Sequence, residues 1–262
     1  MPHFNGELSV KSKTFITAIY ATVHRLALFV AGLTILTVVL TAGSTAHAIP
    51  IKVVTEYLPP FQSKNNDGTL GGYSTEVVHA LFALTGDRPN IQLLPWSRGY
   101  RMAQEEHNVM IYSIARTSSR ESLFHWVGAL KNERFYVWGL KTKYNQPFCS
   151  LDEFKYLIFA SSKNYNTEQF LLQNDFKTIQ RVGKNDQTIG MLYKGRADLI
   201  VGNELIFRHQ ADRLKLDFSK MVKLYETSSL NTSISIAFSL QSDSAIVSRF
   251  DKAFKQLQTS GE

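Results

Sequence analysis

Apolar runs of strand length alternate with helical patterns from residue 51 to the end of the chain. Strands are expected at Ile51–Thr55, Ile91–Leu94, Val109–Ser113 and Phe135–Leu140. A second block repeats the theme, with strands at Leu157–Ser161, Thr178–Val182 and Ala197–Val201, and another follows at Ile234–Leu240. Between these runs the apolar positions recur every three or four residues. Ser74 is placed to cap a helix whose apolar face is Val77, Val78, Leu81, Phe82 and Leu84; Gly86 ends it. Further helices are expected at about Ser97–Glu106, Thr167–Leu172, Asp186–Lys194, Glu204–Ala211 and Asp243–Leu257. The last shows Ile246, Val247, Phe250, Phe254 and Leu257 on one face. The segment Phe61–Tyr73, around Asn66-Asp67-Gly68, reads as a hairpin or loop.

Such β/α alternation predicts α/β sheets with helices packed on their faces. Ligands of open α/β sheets sit at the carboxyl ends of the strands. The informative loops are therefore those after Thr55, Leu94, Ser113, Ser161 and Val201. The first presents Tyr57 and Phe61 around paired prolines, and the second holds Pro95-Trp96-Ser97-Arg98. The third runs from Ser113 through Arg116, Thr117 and Arg120, and the strand ending at Val201 leads into Gly202-Asn203-Glu204. Aromatics, hydroxyls and arginines in these places suit a small polar ligand with an anionic group. The guanidinium fork binds a carboxylate with two parallel hydrogen bonds while aromatic faces cover the rest.

The first 48 residues follow a different pattern. Lys11, Lys13 and Arg25 precede an apolar stretch, Leu26–Leu40, and Ala46-His47-Ala48 supplies small residues before Ile49-Pro50. A basic start, an apolar run and small residues at −3 and −1 predict a secretory signal peptide over residues 1–48, cleaved after Ala48. The alternative is an uncleaved anchor, since about 20 uncharged residues span a bilayer. No Cys follows the apolar run, which argues against a lipid anchor.

With 44% apolar and 19% charged residues, the 262-residue chain does not read as disordered. Its net charge of +7 falls by two once Lys11, Lys13, Arg25 and Glu7 are removed. The remaining charges alternate in sign and form no basic patch, so nucleic-acid binding is not expected. The single cysteine, Cys149, excludes an intrachain disulfide framework and any multi-cysteine zinc site. The histidines lack zinc-binding spacing, and neither a Gly-x-Ser-x-Gly elbow nor a phosphate-cradling glycine loop is present.

Several stretches, taken in order, resemble the family 3 periplasmic solute-binding proteins, the polar amino acid receptors of ABC importers. They are Val54–Phe61 (VTEYLPPF), Gly68–Val77 (GTLGGYSTEV), Pro95–Arg98 (PWSR), Ser113–Glu121 (SIARTSSRE), Gly195–Asp198 (GRAD) and Ile236–Gly261. The resemblance covers about residues 50–261. It implies an α/β, periplasmic-binding-protein-like fold: two α/β lobes joined by two crossover strands, with the ligand in the cleft between them. Lobe one would comprise residues 49–140 and the return segment 222–262, and lobe two residues 141–221. The crossovers, near Leu140–Lys143 and Tyr225–Ile234, would act as a hinge.

By the same resemblance, Arg120 of the Thr-x-x-Arg motif would grip the ligand's carboxylate, assisted by Ser113 and Thr117. Tyr57 or Leu58, Phe61 and Trp96 would form the ligand wall. The closing loop of lobe two would be Asn164–Thr167, including Asn166. Two positions depart from the family pattern. Ala115 replaces a frequent serine, and Asn203 replaces the acid that holds the ligand's α-amino group. A neutral amide cannot pair an ammonium as a carboxylate does, which points away from ordinary α-amino acids. Arg98 and Arg116 would add positive field to the cleft. The implied protein is a monomeric periplasmic receptor with no catalytic residue, metal or cofactor. Its partners would be a small carboxylate-bearing or amino-acid-like molecule and either an ABC permease or a membrane sensor kinase. A dehydratase-like enzyme on the same fold is the alternative, with Glu56 and Glu204 as its candidate acids.

Overall fold

A computed structural model describes residues 50–260; the expected signal peptide lies outside the described residues. Twelve strands and six helices are formed among those residues. The strands are β1 Lys52–Thr55, β2 Ser63–Lys64, β3 Leu70–Gly71, β4 Asn90–Leu93, β5 Val109–Ala115, β6 Phe124–Glu133, β7 Tyr136–Leu140, β8 Phe159–Ser162, β9 Ile179–Val182, β10 Leu199–Gly202, β11 Met221–Glu226 and β12 Thr232–Ser239. The helices are α1 Tyr73–Thr85, α2 Trp96–Glu105, α3 Asn166–Gln173, α4 Asp186–Tyr193, α5 Glu204–Leu214 and α6 Ser244–Ser260.

The strands build two five-stranded sheets, ordered β4-β1-β5-β12-β6 and β11-β7-β10-β8-β9, and the hairpin β2-β3. In the first sheet β4, β1 and β5 run parallel, while β12 pairs antiparallel with both β5 and β6. In the second, β10, β8 and β9 are parallel and β7 is antiparallel to its two neighbours.

Successive residues on a strand face opposite sides of its sheet. Val53, Met110 and Tyr112 accordingly pack with Leu81, Phe82, Phe250 and Phe254 of α1 and α6. Their neighbours Val54, Val109 and Ile111 pack instead with Trp96 and Tyr100 of α2. The second sheet is likewise covered on both faces, with Val137, Phe159 and Leu199 on one and Trp138, Ala160 and Ile200 on the other.

Three local expectations change. Helix α1 begins at Tyr73 after Gly72, and Ser74 is buried with an unpartnered hydroxyl rather than acting as the cap. The reason is steric: Gly72 has φ of +96°, and a Cβ there would lie 2.7 Å from the Phe61 carbonyl oxygen. Strands β6 and β11 lie outside the runs expected as strands. β6 meets β12 with two register irregularities, and β11 meets β7 with one, so neither shows a clean alternation. Finally, Tyr136–Leu140 and most of Met221–Glu226 were expected with the first lobe but pair within the second sheet. The chain leaves the first sheet after Glu133 and returns to it at Thr232.

Candidate functional site

The loops after β1, β4, β5, β8 and β10 converge on a cavity of about 50 Å³ between the sheets. Its walls include Glu56, Leu58, Trp96, Ser113, Arg120 and Glu133 from the first sheet and its loops. Tyr165, Asn166, Thr167, Asn203 and Phe207 face them from the second.

Arg120 follows a turn closed by its own backbone N–H donating to the Thr117 carbonyl (2.9 Å). Its side chain is only 1% exposed, and its guanidinium carbon lies 5.4 and 4.9 Å from the ring centres of Trp96 and Tyr100. Nη1 donates to the Ala115 carbonyl (3.3 Å) and Nη2 to the Asn164 carbonyl (2.8 Å), while Nε has no acceptor among the described residues. Burial lowers the Arg120 pKa, although a guanidinium keeps its charge in proteins. The result is a buried cation whose hydrogen-bonded partners are neutral carbonyls. Such a charge is costly unless an anion joins it.

Ser113 is aimed at the cavity by a bulge. Ser235 and Ile236 of β12 pair with Ile114 and Tyr112, leaving Ser113 unpaired at φ +58°. Its hydroxyl, the Tyr165 hydroxyl and the Asn166 amide nitrogen are all buried without a partner among the described residues. The loop that carries Tyr165 and Asn166 is held by Glu168, which accepts from the Asn164 backbone N–H (2.6 Å) and pairs with Arg181 (2.5 Å). Thr167 meets the Ser161 hydroxyl at 2.9 Å.

Two acids share the cavity. Burial raises Glu56 to about 8, against the lowering influence of the Tyr165 hydroxyl and of Arg120. Glu133 ends β6 at 3% exposure, and both of its carboxylate oxygens lack a hydrogen-bond partner among the described residues. Burial raises it to about 7, opposed by Lys131.

Of the site residues proposed from sequence, Arg120, Ser113, Trp96, Asn166 and Asn203 line this one cavity. Asn203 is also structural: its Oδ1 accepts from the Leu205 and Ile206 backbone N–H groups (2.8 and 3.3 Å), capping α5, and its Nδ2 donates to the Arg134 carbonyl (3.2 Å). The other three expected residues do not line the cavity. Phe61 is buried in the first core, because the Leu58–Gln62 bridge turns it inward; Leu58 takes the wall position. Thr117 is partly exposed, and its hydroxyl meets Ser119 at 3.1 Å. Tyr57 lines an outer cavity of about 490 Å³ beside the first, under the Arg213 guanidinium. Arg98 is exposed, and Arg116 is neutralised by a two-bond pairing with Glu121 (2.9 and 2.5 Å); neither faces the cavity. Glu204 pairs with Arg208 and Lys223 (2.7 and 2.6 Å), outside it.

Glu133 and Tyr165 were not singled out from sequence. Tyr165 falls within the expected closing loop. Glu133 sits in the polar run Lys131-Asn132-Glu133-Arg134, which reads as solvent-facing.

No protein-family model matches the chain, and no curated protein matches it. Solved structures do. A histidine kinase sensor domain with similarity to periplasmic binding proteins aligns at TM-score 0.70 and 15% identity, covering 80% of this chain and 91% of that one. An ancestral arginine-binding protein bound to arginine aligns at 0.67 and 16%, covering 80% and 93%. The arginine-, lysine-, histidine-binding protein ArtJ from Geobacillus stearothermophilus aligns at 0.67 and 14%, covering 81% and 91%. The fold is therefore periplasmic-binding-protein-like, as the sequence resemblance implies. Among the described residues no helix is long and apolar enough to cross a membrane, and no cluster of three metal-ligating side chains occurs.

Proposed function

We propose that the chain is a family 3 solute receptor, binding a small carboxylate-bearing, amino-acid-like molecule between two lobes on the far side of the inner membrane. The observation that carries this reading is Arg120, a buried cation with neutral partners and a free Nε–H beside the cavity. A ligand carboxylate supplies the missing anion, and Ser113, Asn166 and Tyr165 supply further hydrogen bonds. The lobes divide where the chain passes between the sheets, at residues 134–135 and 227–231. Bending at these two crossings opens the cleft, and closing desolvates and strengthens the ion pair.

The membrane partner is an ABC permease, in keeping with the substrate-binding proteins of amino acid ABC transporters that share the fold. The likeness to a kinase sensor domain favours a second reading, in which the closed state reports to a sensor kinase. In either role the ligand binds without turnover.

A thermal-shift screen of the purified protein against amino acids and small organic acids tests the proposal. At least one carboxylate should raise the melting temperature of the wild type and leave Arg120→Ala unchanged. A shift retained in full by Arg120→Ala refutes the assignment.

A further inference from the structure

We infer that Glu133 is the acceptor for a cationic ammonium group on the ligand, replacing the acid that position 203 lacks. The inference rests on the carboxylate reading of Arg120 and adds the opposite pole. The cavity then takes a zwitterion, with its carboxylate toward Arg120 and its ammonium toward Glu133.

Three observations carry it. First, Glu133 is 97% buried, yet among the described residues neither carboxylate oxygen finds a donor. A buried carboxyl with two unused oxygens is costly, and an ammonium with three N–H donors satisfies both. Second, Glu133 opens onto the same cavity as Arg120, so the two poles serve one small molecule. Third, the competing groups are occupied. The Asn203 Oδ1 is spent on two helix N–H groups. Glu56 stands in the field of the Arg120 charge, at the carboxylate pole of the site. Among the described residues the cation acting on Glu133 is Lys131, and it makes no hydrogen bond to the carboxylate.

The position on the fold matters. An acid at residue 203 would reach the ligand from the second sheet, whereas Glu133 approaches from the last residue of β6 in the first sheet. It lies directly before the crossing at 134–135, opposite Thr232 of β12. Both charged anchors therefore belong to the first sheet. The open cleft presents a complete zwitterion site before the second sheet closes over it.

Calorimetric titration with matched pairs tests this: L-glutamate against glutarate, L-glutamine against glutaramate, and L-arginine against 5-guanidinopentanoate. At pH 8 the wild type should bind at least one amino acid about tenfold or more tightly than its des-amino partner. Glu133→Gln should abolish that preference by weakening the amino acid alone. Arg120→Gln should weaken both members of the pair. A preference that survives in Glu133→Gln, or a folded Glu133→Gln that loses both members, overturns the assignment and leaves the Arg120 reading intact. Undiminished binding of both members by Arg120→Gln, or no binding of any pair by the wild type, overturns the carboxylate reading and this one with it. Should Glu133→Gln not fold, the wild type still decides. At pH 7, amino acid binding should release more protons than des-amino binding, measured in two buffers of different ionisation enthalpy. Equal release overturns the inference.

Discussion

The Arg120 guanidinium donates a 2.8 Å hydrogen bond across the cavity to the backbone carbonyl of Asn164. Trp96 Nε1–H donates to the same oxygen at 2.9 Å. Asn164 holds a left-handed backbone at φ +63°, a conformation asparagine tolerates better than most residues. One carbonyl of the second sheet's loop thus receives both donors of the first sheet's loops. The Trp96 ring adds an edge-on contact with Tyr165, centroids 5.4 Å apart. Closure and ligand recognition therefore share the same side chains.

Trp96→Phe removes one of the two donors and keeps an aromatic face beside Arg120. Unfolding by urea should show a loss of about 1 kcal/mol. Small-angle scattering should show a larger radius of gyration in the ligand-free variant as the open state gains population. An unchanged radius would show that the Trp96 bond does not hold the sheets together.

Arg120→Lys should fail as completely as Arg120→Ala. Lysine carries a point charge and cannot span the Ala115 and Asn164 carbonyls while offering a third N–H. At a ligand concentration of about 100 times Kd, the wild type gains roughly 2.7 kcal/mol of stability. Both variants should lose that gain in a thermal-shift measurement. Retention of most of it by lysine would mean that charge alone suffices.

Stability should fall as pH rises from about 4.5 to about 8. Glu56 and Glu133 are raised from 4.5 to about 8 and about 7, so the folded chain holds protons that the unfolded chain releases. Their contribution is complete below 4.5 and is lost as pH passes through the raised values. For Glu133 the difference corresponds to about 3 kcal/mol. Glu133→Gln and Glu56→Gln should each flatten the profile and be more stable than the wild type at pH 8. Denaturant midpoints across this range provide the check, and parallel profiles for all three proteins would contradict it.

Asn203→Ala removes the cap of α5 and should cost about 1 kcal/mol in denaturant unfolding. Because its Oδ1 faces two backbone N–H groups, ligand affinity should change by less than about threefold at an equal folded fraction. A much larger affinity loss would return Asn203 to direct ligand contact.

Much of the site is readable from sequence because strand ends in an open α/β sheet are local features. The runs ending at Thr55, Ser113 and Val201 mark their own boundaries by a change from apolar to polar residues, and the fold class sends ligands to those ends. Arg120, Trp96, Ser113 and Asn166 follow from that rule and from the resemblance. Phe61 and Thr117 do not, because a one-residue turn decides whether a side chain faces a cavity or a core. Phe61 is rotated inward by the backbone pairing of Leu58 with Gln62.

The alternation of strands and helices and the convergence of the β1, β4, β5, β8 and β10 loops were set by the sequence alone, through hydrophobic period and chain direction. The acidic half of the site was decided only by the tertiary structure. Glu133 lies in a charged run, on a strand whose two register irregularities erase the alternation that would reveal its inward face. Its burial comes from pairing with Thr232, about 100 residues away, and from the second sheet closing over the cavity. A side chain's own neighbours in sequence carry no trace of such contacts. The same two features, distant pairing and closure, turn an ordinary surface glutamate pattern into an unpaired carboxyl facing Arg120's cavity.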